Sequence, residues 1–204
     1  PKTLAQWQAV LPNTWLTIHR LTLSPWQQWQ GELQVSLTPS SQEIAYKGEQ
    51  VSIKGTLRGQ TLSVSQFDVQ LPDQPQPIKL VGEFTLPLVP DGVPVKGHAV
   101  ATFNVPQLTS LVDADLDWED NQGQLVVMAR DNPDPLLDLP WQITAQQLNI
   151  SDGRWNWDLS GMPLSGRVSL RADNWQQGLE KATLTGRLNV LTQGDAGKGN
   201  ARSE

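Results

Sequence analysis

The sequence has no cysteine, two histidines, one tyrosine and three phenylalanines in 204 residues. Without thiols there is no disulfide framework, no cysteine-ligated zinc and no cysteine nucleophile. Two histidines, His19 and His98, make a transition-metal centre hard to assemble, and no Gly-x-Ser-x-Gly elbow marks a serine hydrolase. Long apolar runs are missing too: none approaches the ~20 residues that a membrane-spanning helix needs, and no segment has the pattern of a signal peptide. Positive charge is sparse and scattered, with 15 Lys and Arg against 21 Asp and Glu for a net charge of −6. That balance argues against nucleic acid as a partner, which needs clustered cations. These absences leave a chain with no visible catalytic group, metal site or cofactor site.

What is present is a repeated unit. Glycine followed by one polar and one apolar residue recurs at Gly31-Glu32-Leu33, Gly55-Thr56-Leu57, Gly82-Glu83-Phe84, Gly97-His98-Ala99, Gly123-Gln124-Leu125, Gly153-Arg154-Trp155, Gly166-Arg167-Val168 and Gly186-Arg187-Leu188. The spacing is roughly that of a two-strand β unit in repeat proteins, ~25 residues. Each copy sits in a stretch of alternating apolar and polar residues, the pattern of a strand with one buried face. Nine tryptophans, many Gln and Asn and few Lys lean towards a bacterial exported protein.

Turn chemistry predicts four hairpins. Gly48-Glu49 pairs Tyr46 with Val51 and Ile44 with Ile53. Gly59-Gln60 pairs Leu57 with Leu62 and Gly55 with Val64. A bulge at Ser65–Gln66 then brings Ile53 to Phe67 and Val51 to Val69. Pro90-Asp91-Gly92-Val93 pairs Leu88 with Val95, Phe84 with Ala99 and Leu80 with Phe103. Asp152-Gly153 pairs Ile150 with Trp155 and Leu148 with Trp157, with a bulge near Gln146–Gln147 that lets Ala145 meet Leu159. The slipped apolar pattern occurs at Leu16/Ile18/Leu21/Leu23, Leu62/Val64/Phe67/Val69 and Ile143/Ala145/Leu148/Ile150, so bulges recur and bend the sheet. A short helix is predicted in residues 1–12, with Thr3 as its cap and Pro12 as its stop. Pro106–Val112 has room for one or two further helical turns. Leu71–Pro77, Asp113–Gln122 and Asp131–Leu139 read as loops.

Several local motifs resolve to ordinary structure. Asp113, Asp115, Asp117, Glu119 and Asp120 begin like a calcium loop, but Trp118 and Gln124 stand where glycine and glutamate are required. His98 lies between Gly97 and Ala99, so alternation turns it away from the apolar face, and His19 sits at a bulge. Gly194, Gly197 and Gly199 with Lys198 fail the spacing of a phosphate loop. Asn149-Ile150-Ser151 matches a glycosylation acceptor inside a predicted strand. Trp26 and Trp29 follow Pro25 in a loop, as a local clasp or an interaction patch. Trp155 and Trp157 share one face, as core, as groove lining or as a sugar-stacking platform.

The reused unit pairs an apolar-x-Gly-x-apolar strand, as in Ile53–Leu57, Leu80–Phe84 and Leu184–Leu188, with a bulged strand and a proline-bearing loop. In this it resembles the AsmA-like, repeating β-groove proteins of the Gram-negative envelope. The stretch holding Trp155, Trp157, Trp175 and Gly186–Gly194 looks most like one branch of that family. The resemblance implies an all-β fold: an antiparallel meander of bulged strands curled into an elongated groove, a half-barrel with an apolar concave face and one or two short helices. It implies a periplasmic protein tethered to the inner membrane by an anchor outside this chain. It implies transport of phospholipid towards the outer membrane, with acyl chains as ligand, no cofactor, and a small outer-membrane lipoprotein as partner.

The chain opens at Pro1 and is expected to be a piece of a longer protein. Residues 1–193 form one groove segment, and 194–204 a disordered tail or the start of a next strand. The groove-lining residues expected from alternation are Ile44, Ile53, Leu57, Leu62, Phe67, Val69, Leu80, Phe84, Phe103, Leu148, Trp155 and Trp157. Alternation fits two other readings: a closed β-sandwich interaction module of an envelope or type II secretion assembly, and a carbohydrate-binding domain using Trp155, Trp157 or Trp175.

Overall fold

A computed structural model describes residues 2–22, 30–89, 94–106, 108, 110–159, 162–178 and 181–192. One helix, α1 (Leu4–Ala9), precedes thirteen strands. These are β1 (Thr14–Thr22), β2 (Gln30–Leu37), β3 (Gln42–Gly48), β4 (Val51–Arg58), β5 (Thr61–Val69), β6 (Ile78–Thr85), β7 (Lys96–Asn104), β8 (Leu111–Glu119), β9 (Gln122–Ala129), β10 (Leu137–Ile143), β11 (Gln147–Leu159), β12 (Met162–Asp173) and β13 (Thr183–Thr192). Each strand hydrogen-bonds to the next in chain order, the simplest all-β connectivity. The all-β meander of bulged strands is therefore what the alternation predicts. All eight glycine units fall inside strands.

The helix forms as its sequence dictates. The Gln6 N–H donates to Thr3 Oγ1 while Gln6 Oε1 accepts from the Thr3 N–H, a reciprocal capping box. Gln8 is the buried polar residue of this region, 7% exposed, and its amide donates to Gln42 Oε1 at 3.0 Å and to the Gly59 carbonyl at 2.7 Å. The Leu4 N–H donates to the Leu88 carbonyl. The helix is thus tied to the start of β3, the β4–β5 turn and the residues after β6.

The chain divides into two compact units, Pro1–Asp113 with Asp117–Asp120, and Ala114–Leu116 with Asn121–Glu204. In the first unit the β4–β5 hairpin follows the expected register: Leu57 opposite Leu62, Gly55 opposite Val64, Ile53 opposite Phe67 and Val51 opposite Val69. The extra residue is Ser65, and Gly59 carries the turn with φ of +60°, a conformation that glycine adopts without steric cost. The β1 bulge lies between Ile18 and Leu21, as the slipped pattern predicts.

Two expected registers are corrected. Tyr46 pairs with Ile53, and Ile44 with Gly55. The turn is therefore Glu49–Gln50, and Gly48 ends the strand, where a Cβ would crowd Gln30 and Val51 backbone oxygens. In the β6–β7 pair Phe84 meets Gly97, Gly82 meets Ala99 and Leu80 meets Ala101, a shift of two residues that leaves every side chain on its expected face. Pro90–Val93, the expected turn, lies outside the described residues, as do Leu23, Trp26, Trp29 and 193–204.

Three further expectations give way. Asp152-Gly153 is not a turn but part of β11, and Gly153 is buried opposite Val168. The β10–β11 turn is instead Thr144–Gln146, with Ile143 opposite Leu148, so there is no bulge at Gln146–Gln147 and Ala145 does not meet Leu159. The bulge of β11 lies between Ile150 and Gly153. The acidic stretch from Asp113 is strand β8, because Val112, Leu116 and Trp118 alternate with the acids, and that apolar period outweighs the poor strand propensity of aspartate. Among the described residues of 106–112 no helix is formed, and one bond from the Leu108 N–H to the Val105 carbonyl closes a single turn. Leu71–Pro77 is irregular as expected, and Asp131–Leu139 is irregular only until β10 begins at Leu137.

Candidate functional site

In the first unit the register stacks apolar residues into rows that run across the strands on one face. One row is Leu16, Val35, Ile44, Gly55, Val64, Gly82 and Ala99. A second is Ile18, Leu33, Tyr46, Ile53 and Phe67. A third joins Leu57, Leu62, Phe84 and Gly97. Val69 lies between Val51 and Ile78, Leu80 beside Ala101, and Phe103 follows Ala101 by alternation. The nine expected lining residues from Ile44 to Phe103 therefore share a face. In the second unit Leu148 pairs with Ala172, Trp155 sits between Leu137 and Gly166, and Trp157 is beside Leu164. These three also share a face. They are brought together within β11, not across the hairpin that the sequence suggested.

The expected set is incomplete. The same faces also carry Leu16, Leu33, Val35, Tyr46 and Val64 in the first unit and Leu125, Leu139, Val168 and Leu188 in the second. The signal for them, strict alternation, was present in the sequence.

These faces are not well covered. Apolar residues below 9% exposure are Tyr46, Val51, Ala99 and Val112 in the first unit and Ala129, Leu136 and Ala172 in the second, among the described residues. Leu16 and Ile44 are 48% and 47% exposed, and Ile53, Phe67, Leu80, Phe84, Trp155 and Trp157 are only half-buried. Leu184 and Leu188 on β13 are exposed as well. A sheet packed face to face on a second sheet would hide such residues in a layer about 10 Å thick.

Glycines set the depth of this surface. A Cβ on Gly97 would enter the Trp118 ring, one on Gly166 would strike Asn189 O and Trp155 Nε1, and one on Gly31 would meet Lys47 O and the Tyr46 ring. Aromatic rings thus occupy the space beside strand glycines, a recognised means of covering them. Trp118 also stands 5.5 Å from Phe84, centroid to centroid, and its Nε1–H donates to the Pro94 carbonyl.

The opposite face is polar and self-compensating. One row reads Glu32, Lys47, Ser52, Asp68, Lys79 and Thr102, with the Thr102 hydroxyl donating to Asp113 at 2.6 Å. His98 is exposed there and bonded to Asp117 at 2.5 Å, and His19 is exposed near Glu32. In the second unit Arg167 meets Asp152 at 2.8 Å and Arg171 meets Asp173 at 3.0 Å. Such exposed pairs contribute ~0–1 kcal/mol each. They mark this face as the solvated one.

A family model described as YdbH-like, intermembrane phospholipid transport protein YdbH, matches residues 1–203. The chain belongs to the YdbH-like family. The resemblance drawn from the glycine units and the Trp155–Gly194 stretch is borne out at that level. A curated YdbH-like relative, the probable phospholipid transport protein YdbH of Escherichia coli (strain K12), is 64% identical over 201 residues, 98% of this chain. The chain spans 23% of the length of that relative. No solved structure matches the chain. Among the described residues no helix is long and apolar enough to cross a membrane.

Proposed function

We propose that this chain is one stretch of a periplasmic bridge, anchored in the inner membrane outside this chain, that conducts phospholipids between the inner and outer membranes. The observation that carries the reading is the apolar face: register joins its residues into continuous rows, yet leaves them half-exposed. Acyl chains are the ligand that such a surface suits. Each methylene sheltered from water is worth about 0.8 kcal/mol, and a strand of eight residues offers a wall of roughly 26 Å. The twelve residues Ile44, Ile53, Leu57, Leu62, Phe67, Val69, Leu80, Phe84, Phe103, Leu148, Trp155 and Trp157 line the groove. The head group stays in solvent, so the step needs no nucleophile, metal or cofactor and the protein acts without catalysis. The name of the E. coli relative, a probable phospholipid transport protein, supports phospholipid as cargo. A small outer-membrane lipoprotein of the YnbE kind is the partner that receives the bridge at its far end. The sparse burial favours this reading over a closed sandwich.

Site-specific photocrosslinking in cells tests it. A crosslinking residue at Phe67 is expected to yield phospholipid adducts, and one at Lys54, on the polar face, none. Equal labelling at both, or none at Phe67, would reject the groove.

A further inference from the structure

The polar face of the first unit holds a feature that lipid conduction does not use. Trp15 lies on β1 opposite Ser36, on the face away from the apolar rows, and is 75% exposed. An indole this uncovered beside polar neighbours is uncommon for a residue type that is usually well buried. It borders a depression of 210 Å³ whose other walls include Gln34, Glu43, Lys54 and Thr56, with Ala45 among its lining. A second depression of 310 Å³ continues from it, sharing Gln34, Ala45 and Lys54 and adding Glu32 and Lys47. The small Ala45 side chain, between Gln34 and Lys54 in register, lets the two run together.

From this arrangement we propose a binding site for an uncharged pyranose oligosaccharide on the β1–β5 polar face. The charges decide the ligand class: Glu32 and Glu43 balance Lys47 and Lys54, so the trough offers no net field to an anionic head group or a nucleic acid. Gln34, Ser36, Thr56, Ser65 and Gln66 add amides and hydroxyls, the groups that pair with sugar hydroxyls, beside the apolar Val35, Ile44 and Ile53. Trp15 supplies an apolar plane with a polar edge, which suits the C–H face of a pyranose ring. Five strands at about 4.8 Å spacing give a trough of roughly 19 Å, long enough for several rings. Trp15, Gln34, Ala45 and Lys54 project from the face opposite the apolar rows, so the test of this site does not depend on lipid conduction.

The test is an NMR titration of the ¹⁵N-labelled whole chain, following the nine tryptophan indole signals, with chitotetraose and in a second series maltotetraose. A saturable shift of the Trp15 indole, identified as the signal lost in Trp15→Phe, together with the Gln34 and Ala45 amides, is expected for at least one sugar. Trp15→Ala should weaken that binding by about tenfold or more, and its eight other indole signals report that the fold is kept. No shift at Trp15 with either sugar, shifts centred on another indole, or binding unchanged in Trp15→Ala would overturn the proposal.

Discussion

Gly97 and Gly166 are placed where any side chain would collide. Trp118 occupies the space over the first, and Asn189 O with the Trp155 indole the space over the second. The Asn189 carbonyl is backbone and cannot yield without moving β13, so Gly166→Ala should destabilise the chain by about 1–3 kcal/mol, the usual range for overpacking. Gly55 is the contrast: its nearest atoms to an added Cβ are at 3.7 and 3.8 Å. Gly55→Ala should therefore be neutral, or stabilising by about 0.4–1 kcal/mol through loss of unfolded-state freedom. Urea unfolding of the two variants measures both effects, and similar midpoints would show that glycine in this unit is not there for close approach.

At the scale of elements, one side-chain amide ties α1 to two strands' ends. Gln8 is buried and bonds both Gln42 and the Gly59 carbonyl. Gln8→Ala removes both bonds, each worth about 0.5–1.5 kcal/mol. Six residues are too short to hold a helix unaided, so the Trp7–Val10 amides should lose hydrogen-exchange protection while β4 and β5 keep theirs. Retained protection in α1 would mean that other contacts hold it. The strands, the helix with its Thr3 cap and the Gly59 hairpin were legible in the sequence because each is encoded locally, by alternation, by capping or by a residue at positive φ. Registers were less so. Gly48 ends a strand and Gly153 sits at a bulge within one, and glycine in either place looks the same in sequence as glycine in a turn until the partner strand is known. A shift of two along the partner leaves the faces unchanged, which is why the lining residues were found even where their opposite numbers were wrong. Strand β8 was missed because its acids masked the alternation of Val112, Leu116 and Trp118. The Trp15 trough was not legible at all, as it is assembled from five strands.

For the molecule as a whole, the decisive property is an apolar surface that stays uncovered. Ile44 is central to one of its rows and 47% exposed, so an arginine there can extend its charged end into water along the surface. Ile44→Arg is expected to keep the fold, with the melting temperature changed by only a few degrees, and to reduce co-purified phospholipid severalfold. Unfolding of that variant would point to a dry core, and unchanged lipid content to a path elsewhere. The strand order has a mechanical consequence of its own. Among the described residues of the second unit, β9 to β13 pair with their neighbours in chain order alone, so the ladder resembles a zip more than a knot, in keeping with the nearest-neighbour coupling of repeat proteins. A chain emerging N-terminus first from a narrow channel can lay down each strand on its predecessor without waiting for the rest. Force applied to the end of β13 should, in the same way, peel the strands off one by one in reverse order of their synthesis.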